Sequence, residues 1–460
     1  MLSESFVKRL NSQKYIDAEA LLKALKEPSP VSIRINSEKR RKKPLYNQQV
    51  PWCESGYYLG SRPSYTLDPL FHAGCYYPQE ASGMFLEQAV RQLINPGTNI
   101  KVLDLCGAPG GKSTHLSSLI GQNSMLVANE VIRSRAGILV ENVTKWGSSN
   151  TFVTQNDPSA FSRLHGFFDM IFVDAPCSGE GMFRDQVAVS EWSEENAAHC
   201  SERQKRILMD VWPALKTDGL LIYSTCTFNP GENEENIKWL LTKQEAENVK
   251  LDVSGFQEIT EVDYQGVTGY GFYPDKVKGE GFFISVIRKT AKQDAIMLKR
   301  KSSPDLKLSR DEQAIAEKWI NFQSARLIKN GNDIVLIAGS PDDYFFLSRN
   351  LNLLKAGIKI CTIKNKDYLP SHEFALSDII RKDAFPHINL NLRQALLYLR
   401  RDHISLPDAP KGWLLVAYNE VNLGLINNIG TRVNNYYPVE WRIRMNLPET
   451  GKENVIEWNQ

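Results

Sequence analysis

Short hydrophobic runs alternate with longer, helix-like segments between residues 100 and 225 of this 460-residue chain. This alternation is typical of a parallel β-sheet whose strands are joined by helices. Two further hydrophobic runs follow, separated only by a short charged turn. The pattern predicts an α/β fold with five parallel strands and a closing hairpin. The predicted strands are Lys101–Leu105, Met125–Ala128, Thr151–Thr154, Met170–Val173, Leu220–Ser224, Gly269–Tyr273 and Gly281–Ile287.

The segment that precedes this alternation predicts smaller elements. Residues 1–30 indicate two short polar helices, each with a few apolar positions. Val31–Asn36 alternates between apolar and polar residues, which predicts an edge strand. Tyr77–Met84 predicts the start of a helix that continues to Leu93.

The segment beyond the predicted sheet divides into a linker and two small units. Residues 289–313 are polar and charged, which predicts the linker. Three short apolar runs then predict a small α+β unit, and three more predict short strands near the end of the chain. The first three are Ile334–Ile337, Tyr344–Leu347 and Ile358–Ile363, and the last three are Trp413–Ala417, Leu423–Ile426 and Trp441–Ile443.

The charge of the chain is unevenly distributed. The formal net charge is only +2, so overall charge gives no argument for nucleic-acid binding. Residues 291–460 carry 24 Lys and Arg against 19 Asp and Glu, however, which makes this tail the basic part. The run Lys39–Lys43 contains five cations, and we leave open whether it is a solvated loop or an arm that contacts phosphates.

The seven cysteines exclude several classes of protein. Their number is odd and their spacing is not that of a disulfide framework. Because the chain contains no Cys-x-x-Cys pair, we expect no structural zinc and no other metal. The N-terminus does not resemble a signal peptide, and no apolar run is long enough for a membrane helix. We therefore expect a soluble, cytoplasmic protein.

A glycine-rich turn follows the first predicted strand, in the segment Leu103–Ser113. Glycines at this position let a ligand approach the backbone and the N-terminus of the next helix. The spacing fits neither a Walker A loop nor a dinucleotide-binding fingerprint. Glu130 and Asp157 follow the second and third strands, where carboxylates can bind a ribose and an adenine amine. Each acid can alternatively be a helix cap.

Two cysteines come shortly after strands of the predicted sheet. Cys177 follows the fourth strand and Cys226 follows the fifth. Each alone is most often a buried structural thiol. Together with a nucleotide-type pocket they suggest a cofactor-dependent enzyme that attacks its substrate through sulfur.

The chain resembles the RNA 5-methylcytosine methyltransferases of the Nol1/Nop2/Sun family over about residues 30–290. Five separate motifs occur in the order of that family. They are Ser32-Ile33-Arg34-Ile35-Asn36, Cys106-Gly107-Ala108-Pro109-Gly110-Gly111-Lys112, Asp174-Ala175-Pro176-Cys177-Ser178-Gly179, Ser224-Thr225-Cys226-Thr227 and Pro230-Gly231-Glu232-Asn233-Glu234.

The resemblance implies a fold, a cofactor and a set of site residues. The fold is the seven-stranded, Rossmann-like one of the methyltransferases that depend on S-adenosylmethionine (AdoMet). Cys226 is implied as the nucleophile that adds to carbon 6 of cytosine. Cys177 is implied to assist product release, and Asp174 to contact both the cytosine and the cofactor. The implied cofactor contacts are Cys106, Gly107, Ala108, Pro109, Gly110, Gly111, Lys112, Glu130, Asp157 and Asp174.

The length of the C-terminal extension resembles that of the family branch that acts on small-subunit ribosomal RNA and carries a PUA-like module. The expected partner is therefore 16S ribosomal RNA or the small ribosomal subunit, bound by a monomer. The alternatives are the same chemistry on transfer RNA, a non-catalytic assembly factor and, less favoured, a small-molecule methyltransferase. The expected domains are an RNA-binding segment (1–76), the catalytic domain (77–290), an α+β domain (291–375) and a PUA-like RNA-binding domain (376–460).

Four residues of the extension are of interest for RNA binding. Arg432 can contact phosphates, and Tyr436 and Tyr437 can stack on unpaired bases. The alternative is that at least one of these tyrosines belongs to a hydrophobic core. His372 lies in a segment that loosely resembles the family extension, and we expect it to be packed rather than catalytic.

Overall fold

A computed structural model of the protein describes residues 2–40, 42–45, 48–293, 307–321, 326–447 and 455–459. Thirteen α-helices lie in these ranges, with several short 3₁₀ helices between them. The helices are α1 Glu4–Ser12, α2 Ala18–Ala24, α3 Pro69–His72, α4 Leu86–Leu93, α5 Gly111–Leu119, α6 Arg133–Trp146, α7 Gln186–Glu191, α8 Glu194–Val211, α9 Glu234–Lys243, α10 Arg310–Trp319, α11 Pro341–Asn350, α12 His372–Leu376 and α13 Leu392–Arg400.

The described ranges also contain twenty-two strands in four sheets. The strands are β1 Val31–Ile35, β2 Gln48–Gln49, β3 Gly56–Leu59, β4 Tyr76–Pro78, β5 Lys101–Asp104, β6 Met125–Asn129, β7 Thr151–Thr154, β8 Phe168–Asp174, β9 Leu215–Thr225, β10 Ala246–Val249, β11 Thr260–Tyr264, β12 Val267–Phe272, β13 Phe282–Lys289, β14 Arg326–Asn330, β15 Asp333–Ile337, β16 Leu353–Ala356, β17 Ile358–Lys364, β18 Asp367–Pro370, β19 His387–Asn389, β20 Gly412–Tyr418, β21 Val421–Asn428 and β22 Val433–Asn435.

The central sheet has the order β11-β12-β13-β9-β8-β5-β6-β7-β16, and β10 pairs with β13. The five strands β5 to β9 are parallel, while β12 and β13 form an antiparallel pair beside β9. All seven predicted strands are therefore confirmed. Three more strands, β10, β11 and β16, widen the sheet to ten.

Both faces of the central sheet are buried, as the alternation along β8 illustrates. Ile171 and Val173 belong to one hydrophobic cluster, and Met170 and Phe172 belong to another. Successive side chains of a strand point to opposite faces of a sheet, so one continuous apolar run contributes to both clusters. This burial explains why the parallel strands could be recognised from sequence.

The N-terminal part contains the two predicted helices and a four-stranded sheet of order β2-β3-β1-β4. The predicted edge strand is β1, which instead lies inside this sheet between β3 and β4. The predicted helix start at Tyr77 is wrong. Tyr77 pairs with Arg34 in β4, and a 3₁₀ turn begins only at Ser82. Pro78 donates no backbone hydrogen bond, which suits the edge strand where it lies.

The C-terminal part contains two further four-stranded sheets, β14-β15-β17-β18 and β19-β20-β21-β22. Tyr344–Leu347 lies within helix α11, which Ser340 and Asp343 begin with a capping box. The predicted strand Trp441–Ile443 is a turn, in which Trp441 N–H donates to Pro438 O. Most of the predicted linker, residues 294–306, lies outside the described residues, and Lys289 belongs to β13.

Strand β16 joins the C-terminal part to the central sheet. It pairs antiparallel with β7, and Gln155 N–H donates to Asn352 O at 3.0 Å. An ion pair between Lys101 and Asp343 lies at the same junction. The edge of the central sheet is therefore covered by chain from beyond residue 350. None of the helices within the described ranges is long and apolar enough to cross a membrane.

Candidate active site

The two predicted thiols lie at the carboxyl ends of neighbouring parallel strands in the central sheet. Asp174 and Ser224 are paired at the ends of β8 and β9, so the chain leaves both strands on the same side of the sheet. Cys177 and Cys226 follow in the two loops, and their Sγ atoms are 3.0 Å apart. The backbone N–H of Cys226 also donates to Cys177 Sγ at 3.3 Å. The fold thus brings together two half-buried thiols that are 49 residues apart in the sequence.

Each thiol is in a different electrostatic environment. The hydrogen bond with Cys226, followed by burial, raises the pKa of Cys177 well above its ordinary range. The carboxylate of Glu232 adds to this shift. Cys177 therefore carries its proton at neutral pH and can act as a proton donor.

A buried polar network holds the loop that carries Cys177. Ser178 donates to Glu232 from its backbone N–H at 2.9 Å and from its Oγ at 2.5 Å. Gln204 Nε2 donates to Glu232 at 3.1 Å and to the carbonyl of Pro176 at 3.0 Å. In the sequence Glu232 is only part of a motif. In the structure it accepts the hydrogen bonds that hold the loop of Cys177.

An ion pair lies beside the two thiols. Lys112 Nζ is 2.7 Å from Asp174 Oδ2, and Ser224 Oγ donates to Asp174 Oδ1 at 2.7 Å. Although burial opposes the effect, the charge and hydrogen bond of Asp174 raise the pKa of Lys112. A Cys226 thiolate would attract Lys112 further. The lysine is thus a permanent cation next to the loop of Cys226.

The glycine-rich turn passes between β5 and α5 and has little space around it. A Cβ atom at Gly107 would lie 2.8 Å from Ser113 Oγ, and Gly110 has a φ of +118°. A side chain at either position would therefore clash or strain the backbone. Pro109 O accepts from Asn142 at 2.8 Å, and the Cys106 thiol is half-buried, with its pKa raised by burial.

Buried Asp104 ends β5 directly below this turn. Its Oδ2 accepts from Ser113 Oγ at 2.6 Å, while its Oδ1 has no hydrogen-bond partner among the residues described. Burial raises the pKa of Asp104 to about 7, and the negative charge of Asp174 contributes. The turn is thus lined by several acids, which suits a cationic ligand.

The two acids predicted to bind a nucleoside occupy different environments. Glu130 directly follows β6, is 3 % exposed, and lies 3.4 Å from Arg135. Arg135 also donates to the carbonyl of Ala108 at 2.8 Å, which links Glu130 to the glycine turn. Asp157 accepts from Ser159 N–H at 3.0 Å and caps a 3₁₀ helix. The cap alternative is thus observed for Asp157, and its contact with adenine stays a prediction.

Three segments of the chain match protein-family descriptions. Residues 91–288 match 16S rRNA methyltransferase RsmB/F. Residues 2–81 match the N-terminal domain of 16S rRNA methyltransferase RsmF, and residues 385–443 match the methyltransferase RsmF PUA domain.

Relatives of similar length match almost the whole chain. Ribosomal RNA small subunit methyltransferase F of Aliivibrio salmonicida is 31% identical over 452 residues, which are 93% of this chain and 94% of the relative. The protein of that name from Shewanella loihica is 31% identical, over 85% of this chain and 83% of the relative. The chain belongs to the ribosomal RNA small subunit methyltransferase F family.

Solved structures agree with this family membership. A methyltransferase homolog protein from Pyrococcus horikoshii is 28% identical, with a TM-score of 0.51, over 63% of this chain and all of that one. NSun6 from P. horikoshii with SFG, 20% identical, has a TM-score of 0.51 over 63% of this chain and 97% of that one, and supports the fold alone. This family member is a methyltransferase that uses AdoMet, with a C-terminal PUA domain.

The residues of this methyltransferase fit that cofactor. Asp104 lies against the turn, its Oδ2 being 3.3 Å from where a Cβ at Gly107 would lie, and its Oδ1 has no hydrogen-bond partner among the described residues. AdoMet carries a sulfonium and an ammonium group, and Asp104, Glu130 and Asp174 provide negative charge around the turn. Asp104 and Arg135 were not predicted from the sequence. For Asp104 the available signal was an acid within the apolar run of the first predicted strand.

The tail residues of this methyltransferase are placed differently from one another. Tyr437 is fully buried and His72 lies 3.1 Å from its hydroxyl, so the alternative that one of the two tyrosines belongs to a hydrophobic core is confirmed for Tyr437. Tyr436 is 40% exposed and its ring centroid lies 4.5 Å from that of Trp413. Arg432 is exposed in the connection between β21 and β22. His372 packs against Tyr437, which confirms that it is a packed residue.

The basic run near the N-terminus is only partly available to a ligand. Lys39 Nζ donates to the carbonyls of Ala73 and Lys145, and Arg40 stacks on Trp458 at 4.5 Å. Lys42 and Lys43 are exposed, while residue 41 lies outside the described residues. Two of the five residues of the run, Lys39 and Arg40, therefore have a structural role.

Proposed function

We propose that this protein methylates carbon 5 of cytosine in 16S ribosomal RNA through a covalent adduct with Cys226. The observation that supports this chemistry best is the 3.0 Å approach of the Cys177 and Cys226 thiols beside Lys112. Methyl transfer to an oxygen or an exocyclic nitrogen needs no thiol. A pair of thiols beside a cation is useful where a nucleophile must add to a ring and later leave it.

The reaction begins at carbon 6 of the cytosine. The Cys226 thiolate adds there, which makes carbon 5 the nucleophilic end of an enamine. Asp104, Glu130 and Asp174 around the glycine turn would hold AdoMet, which would supply the methyl group for carbon 5 and be converted to S-adenosylhomocysteine. Loss of the proton from carbon 5 and cleavage of the bond between sulfur and carbon 6 then restore the aromatic ring. The reaction regenerates the Cys226 thiolate and releases one proton.

The two cysteines take different roles because their surroundings differ. Cys226 contributes to the raised pKa of Lys112, so a permanent cation lies near the proposed nucleophile. Cys177 keeps its proton, because the hydrogen bond with Cys226 and burial raise its pKa. It lies within contact of the Cys226 sulfur, where it can assist departure of that sulfur from the product. Asp174 holds Lys112 and ends β8 three residues before Cys177, so we assign it to cytosine and cofactor contacts.

The proposed substrate rests on the tail and on the relatives. The relatives are small-subunit ribosomal RNA methyltransferases by name. Exposed Tyr436, beside half-buried Trp413 and with exposed Arg432, offers stacking and phosphate contacts. We assign RNA binding to this domain and to residues 1–76, and we infer a cytoplasmic monomer that binds the small subunit.

The test measures transfer of labelled methyl groups to small-subunit RNA and maps them by bisulfite sequencing. We expect 5-methylcytosine with the wild type and none with Cys226→Ser, which should still bind AdoMet. Cys177→Ala should accumulate a protein–RNA species that survives denaturing electrophoresis. Cys200→Ser, which changes a buried thiol on α8, is the matched control and should retain activity. Full activity of Cys226→Ser contradicts the adduct, and labelling of transfer RNA instead contradicts the substrate.

A further inference from the structure

Three ligating side chains meet outside the active site. They are Cys53 from the segment between β2 and β3, Glu87 from α4 and His115 from α5. All three are buried, at 2 % exposure or less. Among the residues that the structure describes, this is the one group of His, Cys, Asp and Glu whose ligand atoms come within metal-binding distance of one another. None of the three takes part in the proposed reaction.

The distances between their ligand atoms suit one tetrahedral ion. Cys53 Sγ and His115 Nε2 are each 3.1 Å from Glu87 Oε2, and they are 3.9 Å from each other. A zinc ion with ordinary bond lengths holds sulfur, nitrogen and oxygen ligands about 3.3–3.6 Å apart. The three atoms therefore need shifts of only a few tenths of an ångström to ligate it.

The surroundings leave the required atoms free. Arg91 Nε and the backbone N–H of Glu54 bind Oε1 of Glu87, so Oε2 remains for an ion. The second nitrogen of His115, Nδ1, has no hydrogen-bond partner within the described part of the chain. Glu87 Oε2 accepts from Nε2 at 3.1 Å, so Nε2 becomes the ligand once its proton has moved to Nδ1.

The ligands can neutralise a divalent ion. The negative charges of a thiolate and a carboxylate balance its two positive charges. Buried Arg34 lies close by, but its own partners are Gln79, Gly111 and Thr114, and it stacks on Trp146. A surface cleft of about 390 Å³ is lined by Glu87 and His115, so the group lies next to solvent.

We propose that Cys53, Glu87 and His115 form a zinc site, with water as the fourth ligand. Mixed sulfur, nitrogen and oxygen ligands suit Zn²⁺ rather than the hard cations Mg²⁺ and Ca²⁺. Binding replaces the thiol proton of Cys53, which is released to solvent. Zinc was not expected from the sequence, because the chain contains no Cys-x-x-Cys pair. These ligands are spread over 62 residues, and the fold brings them together.

The site would join three parts of the protein. Cys53 belongs to the N-terminal sheet region, Glu87 to the helix before β5, and His115 to the helix that follows the glycine turn. Lys112 lies one turn before His115 on that helix. An ion here holds the N-terminal region against the start of α5 and stabilises the folded chain.

The test uses the full-length protein after removal of metals by a chelator, titrated with Co²⁺ alone. We expect one equivalent of Co²⁺ per chain with a thiolate-to-cobalt charge-transfer absorption, and displacement by Zn²⁺. Cys53→Ser should lose this absorption. Cys361→Ser, which changes a buried thiol on β17, should keep it. A wild-type protein without the absorption, or a Cys53→Ser protein that retains it, overturns the proposal.

Two further variants distinguish this site from the active-site thiols and from a loss of folding. Cobalt held by the active-site thiols would persist in Cys53→Ser and disappear in Cys226→Ser, which also overturns the assignment. If Cys53→Ser does not fold, His115→Gln tests the same site and should bind Co²⁺ about tenfold more weakly or worse. Zn²⁺ should raise the thermal midpoint of the wild type but not of Cys53→Ser, because it binds the folded state.

Discussion

Asp104 offers a direct test of the electrostatics of the cofactor turn. It is fully buried, with one oxygen bound to Ser113 and the other without a partner in the described ranges. Burial raises the pKa of Asp104 from its ordinary 3.8 to about 7. Asp104→Asn keeps the shape of the side chain and replaces the carboxyl group by a neutral amide. We therefore expect the variant to be more stable than the wild type at alkaline pH, in the absence of cofactor.

The expected magnitude follows from the shift in pKa. A carboxyl group whose pKa is higher in the folded chain than in the unfolded chain binds its proton more tightly when folded. The stability it contributes is fully present below about pH 4 and is lost as the pH rises to about 7. A shift of about three pKa units corresponds to about 4 kcal/mol. The variant does not lose this stability, so the difference in free energy of unfolding between variant and wild type grows with pH and becomes constant above about pH 8.

Urea unfolding of the cofactor-free wild type and variant between about pH 5 and pH 8.5 measures this difference. The free energies of unfolding should diverge by about 1.4 kcal/mol per pH unit up to about pH 7. Ser113→Ala retains the carboxyl group but removes a hydrogen bond that lowers its pKa, so the control should keep a pH dependence of the same sign that extends to higher pH. A difference between Asp104→Asn and wild type that does not change with pH would refute the reasoning.

Three other predictions concern the cofactor site, the Cys177 loop and the tail. Glu130→Ala should weaken AdoMet binding at least tenfold by calorimetry, since hydrogen bonds to a charged acceptor contribute about 1.5–3 kcal/mol each; an unchanged dissociation constant would assign Glu130 to a structural role. Glu232→Gln should lower the free energy of unfolding by about 2 kcal/mol in urea, because the amide presents a donor to Ser178; equal stability would contradict the network. Arg432→Ala should reduce the salt slope of RNA binding by about one, and Tyr436→Ala should weaken binding by about 1–3 kcal/mol; unchanged binding in both would remove this surface from the RNA interface.

The parallel strands were predictable because each is buried on both faces and therefore forms a continuous apolar run. The active-site thiols were also predictable, since parallel strands end at a common edge and Cys177 and Cys226 each follow such a strand. Their placement agrees with the expectation, while their chemical roles stay predictions. The family resemblance, rather than periodicity, supplied the assignment of Cys226 as nucleophile.

The errors arose where long-range packing decides the structure. Tyr77 pairs with Arg34 across the N-terminal sheet, and no local signal distinguishes that pairing from a helix start. Tyr436 and Tyr437 are neighbouring residues of the same type. Tyr436 is exposed, however, while Tyr437 is packed against His72 and His372. Cys53, Glu87 and His115 converge from separate elements, so their spacing shows no metal-binding pattern.

The pairing of β16 with β7 has a consequence for how the protein is made on the ribosome. The two strands are about 200 residues apart, so β7 leaves the ribosome roughly 10–40 s before its partner at ordinary rates of synthesis. During this interval the catalytic sheet has an open edge with unpaired backbone groups, which favours association with other chains. Nascent chains that end before residue 353 should therefore bind chaperones, and release should coincide with emergence of β16. Covering this edge completes the catalytic sheet only after most of the protein has been translated.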